Sequence, residues 1–183
     1  ENSNKPGILR DLQLNAPIFD SFVFDISAVN YLLSENKLPE AENLELIYKN
    51  KQFYLYRNQR AWPYFYFADR IETIGTYNDL YNAEQGVAYL WKGDEFTASL
   101  LPKMLPVKSR KVELIKFEYG DMEFKYSSHE QEFLVIADSW HPNWKARVNG
   151  ENIPIIKTNG VFKGILLPPG EGTINLFFDK IGR

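Results

Sequence analysis

The sequence contains no cysteine. That excludes disulfide bonds, thiol catalysis and any cysteine-based zinc site. Histidine is nearly as scarce: His129 and His141 are the only two. They are too few for a convincing metal cluster, and no cofactor is expected. An Asn-x-Ser/Thr glycosylation acceptor is also missing. No uninterrupted apolar run approaches the roughly 18 to 20 residues that a membrane-spanning helix needs. The longest aromatic run, AWPYFYFA at 61–68, is strand-sized and contains Pro63. The chain begins ENSNKPG, with neither an apolar signal region nor a starting Met. Surplus positive charge is lacking too. A net charge of −3 argues against nucleic acid as a partner, because phosphate binding needs excess Lys and Arg on one face. One local exception runs from 103 to 116, where Lys103, Lys108, Arg110, Lys111 and Lys116 face only Glu113. Such a run reads either as a lysine-blunted strand edge or as a contact for anionic head groups or a phosphate-bearing polymer.

Aromatic residues are plentiful. There are 13 Phe, 11 Tyr and 4 Trp, together 15% of the chain, and such side chains suit a pleated, half-buried surface. A chain of 183 residues is long enough to bury a full core as one domain. It can also divide into two lobes, a mixed α/β lobe over 1–108 and a β-sandwich lobe over 109–183. The turn-rich segment 1–22 reads as a loose lead-in with room for one strand. Residues 22–39 read as a short helix followed by a strand, with Asp25 or Ser27 as a possible cap. LELIYKN and QFYLYRN, separated by Asn50-Lys51, read as a β-hairpin, and YFYFADRIETI at 64–74 as one further strand. Asn82 and Gln85 resemble a capping box. Ala83, Val87, Leu90 and Trp91 then recur at helical spacing, which predicts a helix over about 82–92 ending at Gly93. PKMLP at 102–106 reads as a linker.

The tail half carries the clearest strand signals. MEFKYSS alternates, with Met122, Phe124 and Tyr126 facing in. EFLVIADS is apolar throughout Phe133–Ala137, as a central strand buried on both faces should be. WKARVN alternates Trp144, Ala146 and Val148 against Lys145 and Arg147. Asn149-Gly150 is a strong hairpin signal, and IPIIK, which contains Pro154, predicts an edge strand. Asn159-Gly160 and PPGEGT turn into two more strands. Many short strands with frequent turns point to a mainly β fold. The expectation is an antiparallel, jelly-roll-like β-sandwich with one or two short helices in the N-terminal half and no parallel βαβ unit.

In that tail, Asp138, Pro142, Trp144, Lys145, Ala146, Val148, Gly150, Pro154, Asn159, Phe162, Lys163, Pro168, Gly170 and Thr173 fall in register with a known pattern. The stretch from Phe133 to Asp179 resembles the C-terminal signature of the YfhO family of bacterial membrane proteins. A second, looser match joins NYLLS at 30–34 to the hairpin and strand at 44–69, where the family has a Tyr-Glu-Asn and a Leu-Pro-Arg-Ala-Phe. The chain departs from the family at Asn143, where a Gly is usual, around Tyr64, and at Trp140-His141, where an aromatic pair is usual. The resemblance implies a soluble, mainly β domain on the extracytoplasmic face of the cytoplasmic membrane, cut from a polytopic glycosyltransferase-like protein that uses lipid-linked sugars. A final membrane helix would follow it. The transmembrane part of the same polypeptide would be its partner, together with a cell-surface glycan, such as a teichoic acid, or a lipid-linked sugar. The catalytic carboxylate would lie in an early loop of the parent, so no catalytic residue is expected in this chain.

The candidate ligand residues lie in DSWHPNWK, residues 138–145. Trp140 and His141 sit in a loop between two strands, where binding residues concentrate. An indole face can stack on a sugar ring, while Asp138 and Lys145 can hydrogen-bond hydroxyls or a phosphate. The competing reading makes Trp140 a cap on the end of the sandwich and Asp138 a partner of backbone amides. Trp144 is expected in the core. Tyr54, Tyr56, Tyr64 and Tyr66 alternate at strand period, as an aromatic platform or as cross-strand packing. Ser139, Asp138 and His141 crowd one loop, so nothing orients a base behind a nucleophile. Acid pairs such as Asp94-Glu95, or Glu171 near its loop, are uninformative among 24 acidic residues. The rival functional reading is a free carbohydrate-binding or adhesive module of the cell surface, and a stand-alone glycan-active enzyme ranks third.

Overall fold

The computed structural model describes residues 22–93 and 109–179. The lead-in before residue 22, the 102–106 linker, Asp94-Glu95, Lys103 and Lys108 lie outside the described residues. Among the described residues, 22–25 with 29–61 form one compact unit, and 26–28 with 62–93 and 109–179 form a second. Strands from before and after residue 108 share one sheet in the second unit.

The smaller unit holds most of a short helix, α1 (Phe22–Ile26), and a three-stranded antiparallel sheet. Its strands are β1 (Tyr31–Ser34), β2 (Leu44–Lys49) and β3 (Tyr54–Asn58), with β3 in the middle. The predicted hairpin is β2–β3. Asn50 Oδ1 closes its turn by accepting the amides of Gln52 and Phe53 at 2.7 and 2.9 Å. Tyr56 is buried, and its hydroxyl accepts the Leu38 amide at 2.9 Å. Tyr54 stacks on Tyr56 with ring centres 6.5 Å apart. These two rings therefore pack along the strand.

The larger unit contains two sheets. One runs β11–β10–β14–β8–β7, built from β7 (Arg110–Glu118), β8 (Asp121–Ser128), β10 (Trp144–Val148), β11 (Glu151–Ile153) and β14 (Gly170–Phe178). The other runs β4–β9–β13–β12–β6–β5, from β4 (Phe65–Phe67), β5 (Arg70–Ile74), β6 (Val87–Trp91), β9 (Glu132–Ser139), β12 (Ile156–Thr158) and β13 (Phe162–Leu167). Met122, Phe124, Ile174 and Leu176 of the first sheet meet Leu134, Ile136, Ile165 and Leu167 of the second in one buried cluster. The mainly β, two-sheet expectation is met.

Six strands laid flat would separate the outermost pair, here β4 and β5, by about 24 Å. Yet only Ala68 and Asp69 lie between them, and three residue steps reach at most about 11 Å. The sheet must therefore curl enough to bring the end of β4 and the start of β5 within that reach. The joining residues bond both sides: the Ala68 amide donates to Phe133 O at 2.9 Å and the Asp69 amide to Gly86 O at 2.7 Å. A second cluster, with Ala68, Ala88, Leu90, Phe133, Val135 and Ile156, lies on the face of the sheet opposite the first. Strand β9 is thus buried on both faces, as its apolar run predicts.

Three local expectations are corrected. The helix over 82–92 is absent: a 3-10 helix occupies Tyr77–Asn82, and Val87–Trp91 is strand β6. Four successive residues, Val87 to Leu90, are buried, and a helix of that length would turn some of them to solvent. Gly86 breaks the helical path at φ +86°, with Asp69 Oδ2 only 2.6 Å from where a Cβ would stand. Second, β6 pairs in parallel with β5, so one parallel connection exists where none was expected. Third, 64–74 is two strands at opposite edges, and IPIIK is not one edge strand. The edge strand is β11, Pro154 and Ile155 cross between sheets, and β12 enters the other sheet between β13 and β6.

Candidate functional site

Strand β9 belongs to one sheet and β10 to the other, so residues 140–143 cross between them. Pro154-Ile155 makes the return crossing from β11 to β12. The crossings lie side by side, and the Trp140 indole N–H ties them by donating to Ile155 O at 3.3 Å. The Trp140 amide also donates to Val161 O at 2.7 Å. Between the crossings and the outer face of β10 lies an open cleft of about 570 Å³, whose lining includes Trp140, His141, Lys145, Arg147, Asn152 and Phe177. Trp140 remains 36% exposed there, so its indole both caps the corner and offers surface.

Three of the four candidate residues meet in this cleft. His141 Nδ1 accepts the Asn143 amide at 3.1 Å, and its ring lies 5.3 Å from that of Phe178. The Lys145 ammonium donates to Pro142 O at 3.2 Å. Asp138 is placed elsewhere. Its Oδ2 receives the Lys163 ammonium at 2.5 Å and its Oδ1 the Ser139 amide at 2.8 Å, so both oxygens are engaged within the protein. Because Asp138 is turned to Lys163 and His141 to a backbone amide, neither orients Ser139 as a nucleophile.

Trp144 is half-buried and packs against the inter-sheet cluster, edge-on to Phe178 with centroids 5.6 Å apart. Lys163 lies 3.9 Å from the centre of its ring and is fully buried. Burial pushes the Lys163 ammonium below its ordinary pKa, while Asp138 pulls in the opposite direction. Tyr64 is pushed up to about 12, first by burial and then by the charge of Asp138. Lys163 is a residue that candidate-site reasoning missed. Its signal was a cation set among Phe162, Ile165, Leu166 and Leu167 in an otherwise apolar strand. Arg147 was read only as facing outward; sharing a strand face with Lys145 was the available clue.

The basic run resolves differently. Strand β7 is an edge strand. Its Arg110 pairs with Asp69 and Glu132, Lys111 with Glu113, and Lys116 with Glu118 and Asp121. Tyr66 is packing too: its hydroxyl donates to Val87 O at 2.9 Å and accepts from the Asn159 amide group at 2.8 Å. Among the described residues no cluster of His, Asp and Glu is arranged to hold a metal ion, and no helix is long and apolar enough to cross a membrane. Comparison of the chain with protein-family models, curated proteins and solved structures found no match.

Proposed function

We propose that this chain is the extracytoplasmic accessory domain of a YfhO-like, polytopic glycosyltransferase, and that the cleft at the sheet-crossing corner binds or positions its glycan acceptor. The observation that carries the proposal is the exposed Trp140 indole in an open cleft beside His141 and Lys145. Concave sites with an aromatic face and a few convergent polar groups are where small ligands bind. An indole offers a flat apolar surface to a sugar ring while its N–H stays bonded, as it is to Ile155. The resemblance through Asp138, Trp144, Lys145 and Gly150 supports the membrane-protein context and its lipid-linked donor. Catalysis is assigned to the transmembrane part, the domain's partner within one polypeptide.

Two measurements test this reading. The parent gene should encode many apolar helices before Glu1 and one after Arg183; a secretory signal leading directly into this sequence would instead favour a free surface module. In glycan-array binding, Trp140→Ala should weaken retention while leaving the thermal midpoint nearly unchanged. A large fall in that midpoint would make the ring structural, and undiminished retention would remove it from the site.

A further inference from the structure

We infer that Lys145 and Arg147 form an anion subsite in the cleft, so that its ligand is a sugar bearing a phosphate or a carboxylate. The inference rests on the glycan reading above and narrows it to a class of ligand. Lys145 and Arg147 are two apart on β10, which sends both side chains to one face of the sheet. The residues between and after them, Ala146 and Val148, are buried on the other face. Two strand steps separate their Cα atoms by about 7 Å, a gap that two long side chains can close around one phosphate. Arg147 is held in place for the task. Its guanidinium lies 5.1 Å from the centre of the Phe177 ring, and its Nε donates to Asn152 Oδ1 at 3.0 Å. Its two Nη groups make no hydrogen bond among the described residues, so the end of the fork that recognises phosphate or carboxylate faces no protein acceptor.

What sets this pair apart is that two cations share one cleft. Arg70, Arg110, Lys111, Lys116 and Lys163 all have carboxylate partners. Lys145 and Arg147 have none among the described residues; Lys92, Lys125 and Lys157 also lack one, but none of these lines the cleft. Two like charges side by side repel each other, and a bound anion relieves that repulsion. Among the described residues, Asp179 is the carboxylate that lines the cleft, and it disfavours an anion at its own end. The sugar ring then lies against Trp140, with its charged substituent toward Lys145 and Arg147.

The test is an amide NMR titration of the full chain with glucose 1-phosphate, digalacturonate, maltose and inorganic phosphate. The charged sugars should shift amides at 144–147 and 152–155, and the two charged arms distinguish phosphate from carboxylate. Lys145→Gln and Arg147→Gln should each weaken that binding by about tenfold, the worth of a charge-assisted hydrogen bond, and added salt should weaken it further. Lys145→Arg should retain it, and unchanged shifts elsewhere report that each variant is folded. If maltose binds as well as glucose 1-phosphate and both Gln variants are silent, the anion subsite is overturned and the glycan reading stands. If inorganic phosphate binds with the same losses while no sugar does, the subsite stands and the glycan reading falls. If nothing binds, both fall.

Discussion

The Lys163 ammonium is sandwiched between a carboxylate and an indole: it lies 2.5 Å from Asp138 Oδ2 and 3.9 Å from the centre of the Trp144 ring. The lysine is wholly withdrawn from solvent, whereas the Asp138 side chain keeps 33% of its exposure. The two partners are therefore unequal. Asp138→Asn leaves a buried cation without a counter-charge and should cost about 3 kcal/mol or more. Lys163→Met leaves a carboxylate that water can still reach, and should cost less than half as much. Urea unfolding of both variants checks the order. Equal losses would mean that the pair is not asymmetric.

Alkaline pH separates two groups with opposite signs. Tyr64 binds its proton more tightly in the folded chain, with a pKa about 12 against an ordinary 10.0. Its contribution is intact below pH 10 and is lost as the pH rises through 12. Burial also raises Tyr66 and steepens the same fall. Lys163 is lowered from 10.5. The unfolded chain holds more protons there, so this group adds stability as the pH climbs toward 10.5. Unfolding midpoints at a series of pH values should decline above pH 10 in the wild type and decline less in Tyr64→Phe. Lys163→Met should lose the gain just below 10.5.

Arg110 joins the two sheets of the larger unit. From β7 it donates to Glu132 Oε2 of β9 at 3.1 Å, to the carbonyls of Ala68 and Phe67 at 3.2 and 3.4 Å, and to Asp69. Glu132 is 1% exposed and also accepts from the Ser128 hydroxyl at 2.9 Å. Arg110→Met should therefore cost about 3 to 5 kcal/mol, because it strands a buried carboxylate. Pairing it with Glu132→Leu should restore much of that loss, since the unpaired charge is then gone. Additive losses in the double variant would contradict this account.

Gly164 is required by Phe133. A Cβ at 164 would stand 2.3 Å from Phe133 Cζ, inside a ring that is itself fully buried. Gly164→Ala should destabilise by about 1 to 3 kcal/mol through overpacking. Adding Phe133→Leu should recover part of this, and calorimetry of the single and double variants measures it. A neutral Gly164→Ala would mean that the interior of the curled sheet yields more readily than its packing implies.

Strand identity was readable wherever the pattern was long. The β8 and β10 alternations and the apolar run of β9 each appear as expected, because side-chain period and burial are local properties of a strand. The turns were legible for a similar reason. Asn149-Gly150 and Asn159-Gly160 adopt left-handed φ values of 52°, 89°, 48° and 83°, a conformation that Asn and Gly adopt at low cost. Segments 64–74, 82–92 and 153–157 were misread. In each, what the chain does depends on which strand lies beside it, and a short apolar run carries no record of that. At the candidate site, Trp140, His141 and Lys145 were within reach because they lie within six residues, in one crossing loop and the start of the strand after it. Asp138 looked equivalent to them until its partner, 25 residues later in the chain, was seen to be Lys163.

By itself, the sequence determined the class of the fold, the positions of most turns, the inward-facing set of the tail strands and the loop that carries the exposed indole. All of these follow from interactions among near neighbours. Only the tertiary structure decided that the six-stranded sheet curls to bring β4 and β5 together at Ala68-Asp69, that Lys163 is buried beneath Asp138 and Trp144, and that Arg147 and Lys145 line one cleft. Those outcomes depend on pairings between distant segments, and hydrophobic periodicity constrains which face of a strand is covered but not what covers it.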